Sequence, residues 1–299
     1  MHEFLNIAPE VAHALSERRP VVALESTVIA HGLPRPQNLE TAHRLQEVVR
    51  EGGAVPATIA IIGGKLKVGL SDDEVQLLAE KDDIRKISTR DIAIAVAQGW
   101  DGATTVASTT WIAHRAGLKV FATGGIGGVH RGSLPDVSAD LPELARTPIV
   151  VVCSGAKIVL DLPATREWLE TNAVTVVGYQ CDELPAFYSR SSGLRVDVRA
   201  GDADAVASIF RAQRSLGIES ALLLGVPVPA KFEVPAEALQ PVLTTALEDA
   251  EWKGITGPEL TPFLLRQMAE RSGGATLRAN IALLENNARV AAAIASAIG

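Results

Sequence analysis

Cysteine is scarce in this chain: Cys153 and Cys181 are the two among 299 residues. Both lie in apolar, strand-like surroundings and read as buried free thiols, so neither a disulfide framework nor a zinc cluster is expected. An excess of basic charge is also missing. The formal net charge is −7 and no basic stripe is visible, which argues against duplex nucleic-acid binding. Nucleotide-sized substrates stay open, because they need only a local cluster of donors. No apolar run reaches the roughly 18 to 20 residues of a membrane span. The opening residues, MHEFLNIAPE, lack the basic start, apolar stretch and cleavage site of a secretory leader. A cytoplasmic protein is the expectation. No repeat or low-complexity linker interrupts the chain.

What is present suits a globular enzyme with a large core: 47% of residues are hydrophobic and 21% charged. Short apolar runs alternate with helical patterns, the signature of an α/β fold with a mainly parallel sheet covered on both faces. Strands are expected at Val21–Thr27, 57–62, 84–88, 104–107, 119–123, 149–153, 174–179 and 221–226. Residues 8–18 read as a short amphipathic helix, Asn38 as the cap of a helix running to about Arg50, and Ser71 with Glu74 as a capping box. From Pro235 onward three helices are expected, with turn signals at Gly254, Pro258 and Gly273–Gly274. One α/β domain over residues 1–299 is the expectation, with residues 182–202 a small excursion or lobe beside the site.

The chemistry concentrates between Phe121 and Lys157. A strand empties into the run TGGIGGVHRG, which fits a dinucleotide fingerprint poorly because Pro135 and two acids follow where a long helix should start. The glycines either let strand and loop pack closely or turn amides toward a phosphate or a uracil-like acceptor. Lys157, just past a buried strand, is either a solvent-reaching cation or an amine nucleophile whose charged form burial disfavours. Glu25 is either a paired strand-end acid or a proton-handling carboxyl. Asp136 and Asp140 are either caps of the 141–145 segment or hard ligands for Mn²⁺ or Mg²⁺. His130 and Arg131 read equally as anion contacts or surface residues. Lys86 ends a strand and could hold a phosphate.

Several long strings occur in order: VVALEST followed by HG, PATIAIIGG, KVGLS, DGATTVAS, KVFATGGIGGVHRG, DVSADL, VVCSGAK, TPFLL, and SGG with the later AN near 272–280. In these the chain resembles the pseudouridine-5′-phosphate glycosidases, the indigoidine synthase A-like family, from about residue 8 to 295. The resemblance implies an α/β/α sandwich with a small added part, acting as a lyase-type glycosidase. The substrate would be pseudouridine 5′-phosphate, cleaved reversibly to uracil and ribose 5-phosphate through a lysine–ribose imine. It implies one Mn²⁺ per subunit and a homotrimer. By motif match Lys157 would be the nucleophile, Glu25 the proton donor and Asp136 the metal ligand, with Lys86, Val106, Ser138, Ala139, Asp140 and Asn280 touching substrate. The rival readings are an α/β phosphosugar hydrolase or isomerase without covalent lysine chemistry, and a non-catalytic sugar-phosphate sensor. A sensor would need neither Glu25 nor Lys157.

Overall fold

The computed structural model describes residues 3–131, 136–255, 257 and 260–299. The elements follow in order as β1 (Leu5–Ile7), α1 (Pro9–Ser16), β2 (Val21–Glu25), α2 (Gln37–Glu51), β3 (Val55–Ile62), β4 (Lys65–Val68), α3 (Asp72–Glu80), β5 (Arg85–Ile87), α4 (Ile92–Ala97), β6 (Gly102–Thr104) and α5 (Val106–Arg115). The second half runs β7 (Val120–Ala122), α6 (Asp140–Leu144), β8 (Val150–Cys153), α7 (Leu162–Thr171), β9 (Thr175–Tyr179), β10 (Val198–Ala200), α8 (Ala203–Ser215), β11 (Leu222–Gly225), α9 (Ala236–Trp252), α10 (Leu260–Arg271) and α11 (Ala275–Ile298).

The expected mainly parallel α/β sheet is present, in the order β1-β4-β3-β2-β7-β8-β11-β9-β10. The central strands β2, β7, β8 and β11 are buried along their length and nearly all apolar, as strands covered on both faces must be. Helix α11 crosses β2, β7 and β8 and is flanked by α2 and α8. By length and composition α11 could cross a membrane, a feature the run-length criterion passed over because Arg278, Glu285 and Arg289 interrupt it. Here its apolar stripe, including Leu283, Leu284 and Ala291, is packed into the core.

One irregularity positions everything that follows. Strand β3 outruns β2: Val55 to Ile59 pair with β2, and the end of β3 pairs antiparallel with β4 along one edge. Ala60 and Ile61 then take β6 on the edge that β2 has left. Buried hydroxyls seal this seam. Ser26 Oγ donates to the Ile59 carbonyl (2.7 Å) and accepts from the Thr104 amide (2.8 Å), while Thr104 Oγ1 donates to the same carbonyl (2.6 Å) and accepts from Thr109 (2.8 Å).

Several expectations need adjustment. The strand placed at 104–107 stops at Thr104, because Thr105 caps α5 by accepting from the Ser108 amide. Asn38 does not cap α2: it lies inside the helix and its amide donates to the carbonyls of Ile29 and Ala79, each at 3.0 Å. Cys153 is buried as expected, and burial pushes its thiol up to about 12. Cys181 is half-exposed in the turn after β9. The Ser71–Glu74 capping box and the three closing helices α9, α10 and α11 occur as read, although Pro258 lies outside the described residues. The 182–202 segment brings Phe187 and Tyr188 into the core and contributes edge strand β10.

Asn287 on α11 binds the ends of β7 and β8 together. Its amide donates to the Thr123 carbonyl (2.8 Å) and to Ser154 Oγ (3.1 Å), and the residue is fully buried. Asn287→Ala leaves a buried carbonyl without its partner, so chemical denaturation should show a loss of about 1–3 kcal/mol. Asn286→Ala, which removes one weak contact to Pro227, should change stability by less than about 0.5 kcal/mol.

Candidate active site

At the carboxyl ends of β2, β7 and β8 lies a cleft, the place where open parallel sheets bind ligands. Glu25, His31, Lys86, Lys157 and Asn280 line it, together with Phe187 and the α10 residues Thr261, Pro262 and Leu265. Each functional group arrives for a local reason.

Glu25 is the last residue of β2 and is 8% exposed. A carboxylate so placed needs donors. Thr27 supplies one to Oε2, and Thr123, one residue past β7, supplies the other to Oε1. The lone acid in an apolar strand was the legible signal. Its two threonine partners were not singled out, although Thr27 follows it by two residues.

Lys157 is reached through a turn that requires glycine. Gly155 has φ +82°, and a Cβ there would collide with the Pro185 carbonyl. Gly125 has no room for a side chain either, since a Cβ would stand 2.7 Å from the Phe187 ring. These glycines therefore serve close packing. Some loop amides are engaged within the protein: Ile126 donates to the Gly155 carbonyl (3.1 Å), Gly127 to Asp140 (2.8 Å) and Val129 to Thr165 (2.9 Å).

Lys86 comes from β5, beyond the seam, and faces the same cleft. Burial first, and then the charge of Lys157, press its ammonium below the ordinary lysine range, while Asp140 and Glu25 oppose the shift. Two cations thus face a space that a dianion would suit.

The structure separates the remaining candidates. Asn280 lines the cleft from α11. Val106, Ser138, Ala139 and Asp140 are not among its lining residues. Val106 opens α5 and is buried. Both oxygens of Asp140 accept backbone amides, Oδ1 from Ala107 and Oδ2 from Gly127, each at 2.8 Å. Asp140 thereby ties the first turn of α5 to the glycine loop, and it is not the side-chain cap of α6, whose cap residue is Ala139. Arg131 is exposed and donates to the Leu160 carbonyl (3.1 Å), and the His130 amide donates to the Asp136 carbonyl (2.8 Å).

Asp136 is exposed, and residues 132–135 before it lie outside the described residues. Among the described residues, no three His, Cys, Asp or Glu side chains gather to hold a metal. A closed protein cage does not fit. A single carboxylate suits a Mn²⁺ or Mg²⁺ ion that keeps most of its water.

The family described as "Indigoidine synthase A like protein" matches residues 10–297. The chain belongs to this family. It is 50% identical over 297 residues to the "Pseudouridine-5′-phosphate glycosidase" of Caldanaerobacter subterraneus subsp. tengcongensis, covering 99% of this chain and 97% of that one. The prealnumycin C-glycosynthase AlnA, solved in complex with ribulose 5-phosphate, superposes with a TM-score of 0.91 at 42% identity, covering 99% of this chain and 97% of that one. An indigoidine synthase A-like protein from Thermotoga maritima gives a TM-score of 0.90 at 39% identity, covering 98% and 95%.

Asp140→Asn offers one acceptor where two amides need two, so thermal or chemical unfolding should show a loss of about 1–3 kcal/mol. Asp136→Asn, at an exposed carboxylate, should stay within about 0.5 kcal/mol of wild type.

Proposed function

We propose that this chain reversibly cleaves the C–C glycosidic bond of pseudouridine 5′-phosphate, giving uracil and ribose 5-phosphate. One observation carries the reading: Glu25, Lys86, Lys157 and Asn280, from three separate elements and a loop, face a single cleft. The names of the related glycosidase and C-glycosynthase point to the same chemistry.

The leaving atom is carbon C5 of uracil, which carries negative charge poorly. A pair of carboxylates acting on a glycosidic oxygen has nothing to protonate there. A lysine amine offers another route. Glu25 protonates the ribose ring oxygen as the ring opens, with electron donation from the uracil ring. The Lys157 lone pair adds to C1′. The ammonium so formed gives up a proton and C5 takes one; the freed nitrogen lone pair then forms the C1′ imine, and the C1′–C5 electron pair returns to the uracil ring. Water hydrolyses the imine to ribose 5-phosphate and free lysine. Thr27 and Thr123 keep the Glu25 carboxyl turned toward this space.

Lys86 anchors the 5′-phosphate. This remote contact positions C1′. Asn280 reads the substrate from α11. Val106 and the Ser138–Ala139–Asp140 segment are the remaining substrate contacts of this reading. Asp136 would hold one Mn²⁺, which would supply positive charge and coordinated water to the site. A cytoplasmic homotrimer completes the reading.

The decisive experiment incubates purified protein with pseudouridine 5′-phosphate and Mn²⁺ and measures free uracil, then runs uracil with ribose 5-phosphate in reverse. Wild type should release uracil; its absence would refute the reading. Lys157→Ala should lower the rate about 10,000-fold or more. Borohydride should trap a ribose-phosphate adduct by mass in wild type and not in that variant. Unchanged trapping would move the nucleophile elsewhere. Glu25→Gln should keep substrate binding while turnover falls about 100- to 10,000-fold.

A further inference from the structure

His31 has no task in this scheme, yet it sits against the cleft. It belongs to the irregular turn Val28–Gly32 that follows the strand carrying Glu25. The ring lines the cleft alongside Lys86 and Lys157. One side is tied to the backbone of Arg85, the residue before Lys86, so the imidazole bridges two walls of the site. The other nitrogen, Nε2, is shielded from solvent and has no hydrogen-bond partner among the described residues.

The tautomer follows from that arrangement. The Arg85 bond favours the protonated ring, as a carbonyl acceptor does, so Nδ1 carries the proton and Nε2 the lone pair. Burial, and after it the charge of Lys86, hold the imidazole below its ordinary range and so uncharged near neutrality. A buried acceptor left without a donor is destabilising, which makes Nε2 a group that a ligand should satisfy.

We infer that His31 Nε2 accepts a hydrogen bond from an N–H or O–H of the bound nucleotide and so takes part in substrate selection. The inference rests on the glycosidase reading above. Phosphate and uracil carbonyl oxygens only accept, so they cannot serve. The available donors are N1–H and N3–H of the base and the two ribose hydroxyls. N1–H would carry the most information, because in uridine that position is taken up by the glycosidic bond.

The test measures kcat/KM for wild type, His31→Gln and His31→Leu on pseudouridine 5′-phosphate. It repeats the measurement on four analogues, each lacking one donor: N1-methyl, N3-methyl, 2′-deoxy and 3′-deoxy. His31→Leu should lose about 10- to 100-fold on the parent substrate, and His31→Gln, which retains an acceptor, should lose less. One analogue should lose a similar factor with wild type and little more with His31→Leu. That failure to multiply identifies the donor and separates direct contact from a structural role. If the losses multiply for all four analogues while wild type is active, His31 touches no donor and this inference alone falls. If wild type releases no uracil, the glycosidase reading falls and takes this one with it. Should both variants fail to fold, nitrogen spectra of labelled histidine in wild-type protein, titrated with uracil and ribose 5-phosphate, decide. An Nε2 that stays unprotonated and shifts on binding supports the assignment; a protonated or unmoved Nε2 overturns it.

Discussion

A carboxylic acid at the end of a buried strand is the constraint that orders this protein. Glu25 closes β2 at a point where its neighbours are Leu24, Ser26 and the core. An ionisable group there needs donors fixed in place, because a buried carboxylate without them is strongly destabilising. Thr123 can reach it only because β7 lies directly beside β2 in parallel register, with Leu24 opposite Ala122. The Thr123 carbonyl in turn takes the Asn287 amide, from near the other end of the chain. One acid therefore depends on the N-terminal strand, the middle of the sheet and the closing helix at once. That dependence makes its position insensitive to any single loop.

The cleft exists because β2 stops short. With β3 continuing and β6 taking over its free edge, a gap opens between the end of β2 and the β5–β6 pair. Ser26, Thr104 and Thr109 satisfy the polar groups that the change of partner would otherwise orphan. The same gap lets Lys86, from a strand pair oriented against β2, look across at Lys157. Ligand sites in open parallel sheets lie where strand connections diverge; here the divergence is a strand that changes its hydrogen-bonding partner partway along β3.

The parallel core was legible because its strands are short, apolar runs bounded by turn residues. Val150–Cys153 and Leu222–Gly225 fall within one residue of their expected limits. The strands β1 and β4, at one side of the sheet, were not legible: with Asn6, Lys65 and Lys67 in them they carry no continuous apolar run. At the site, the residues that bear unusual chemistry for their surroundings stood out, an acid in an apolar strand and a lysine just past one. Their supports did not. Thr27, Thr123 and Asn287 are ordinary polar residues until the fold brings them to Glu25 and to the strand ends, and Phe187 is one aromatic in an irregular stretch. Read from the residues alone, the two acids of the glycine loop share the same alternatives, caps or hard ligands, and the family resemblance assigns Asp136 to a metal and Asp140 to substrate. Packing separates them: Asp140 is locked between two amides and Asp136 is exposed.

That separation bears on mechanism. A scheme with two carboxylates requires two acids facing one bond, about 5 to 10 Å apart depending on stereochemistry. Here Glu25 and two lysines line the cleft, whereas Asp140 is withdrawn into a structural bridge with both oxygens engaged. Freeing Asp140 for chemistry would orphan the amides of Ala107 and Gly127, and the first turn of α5 would lose its tie to the loop that leads to Lys157.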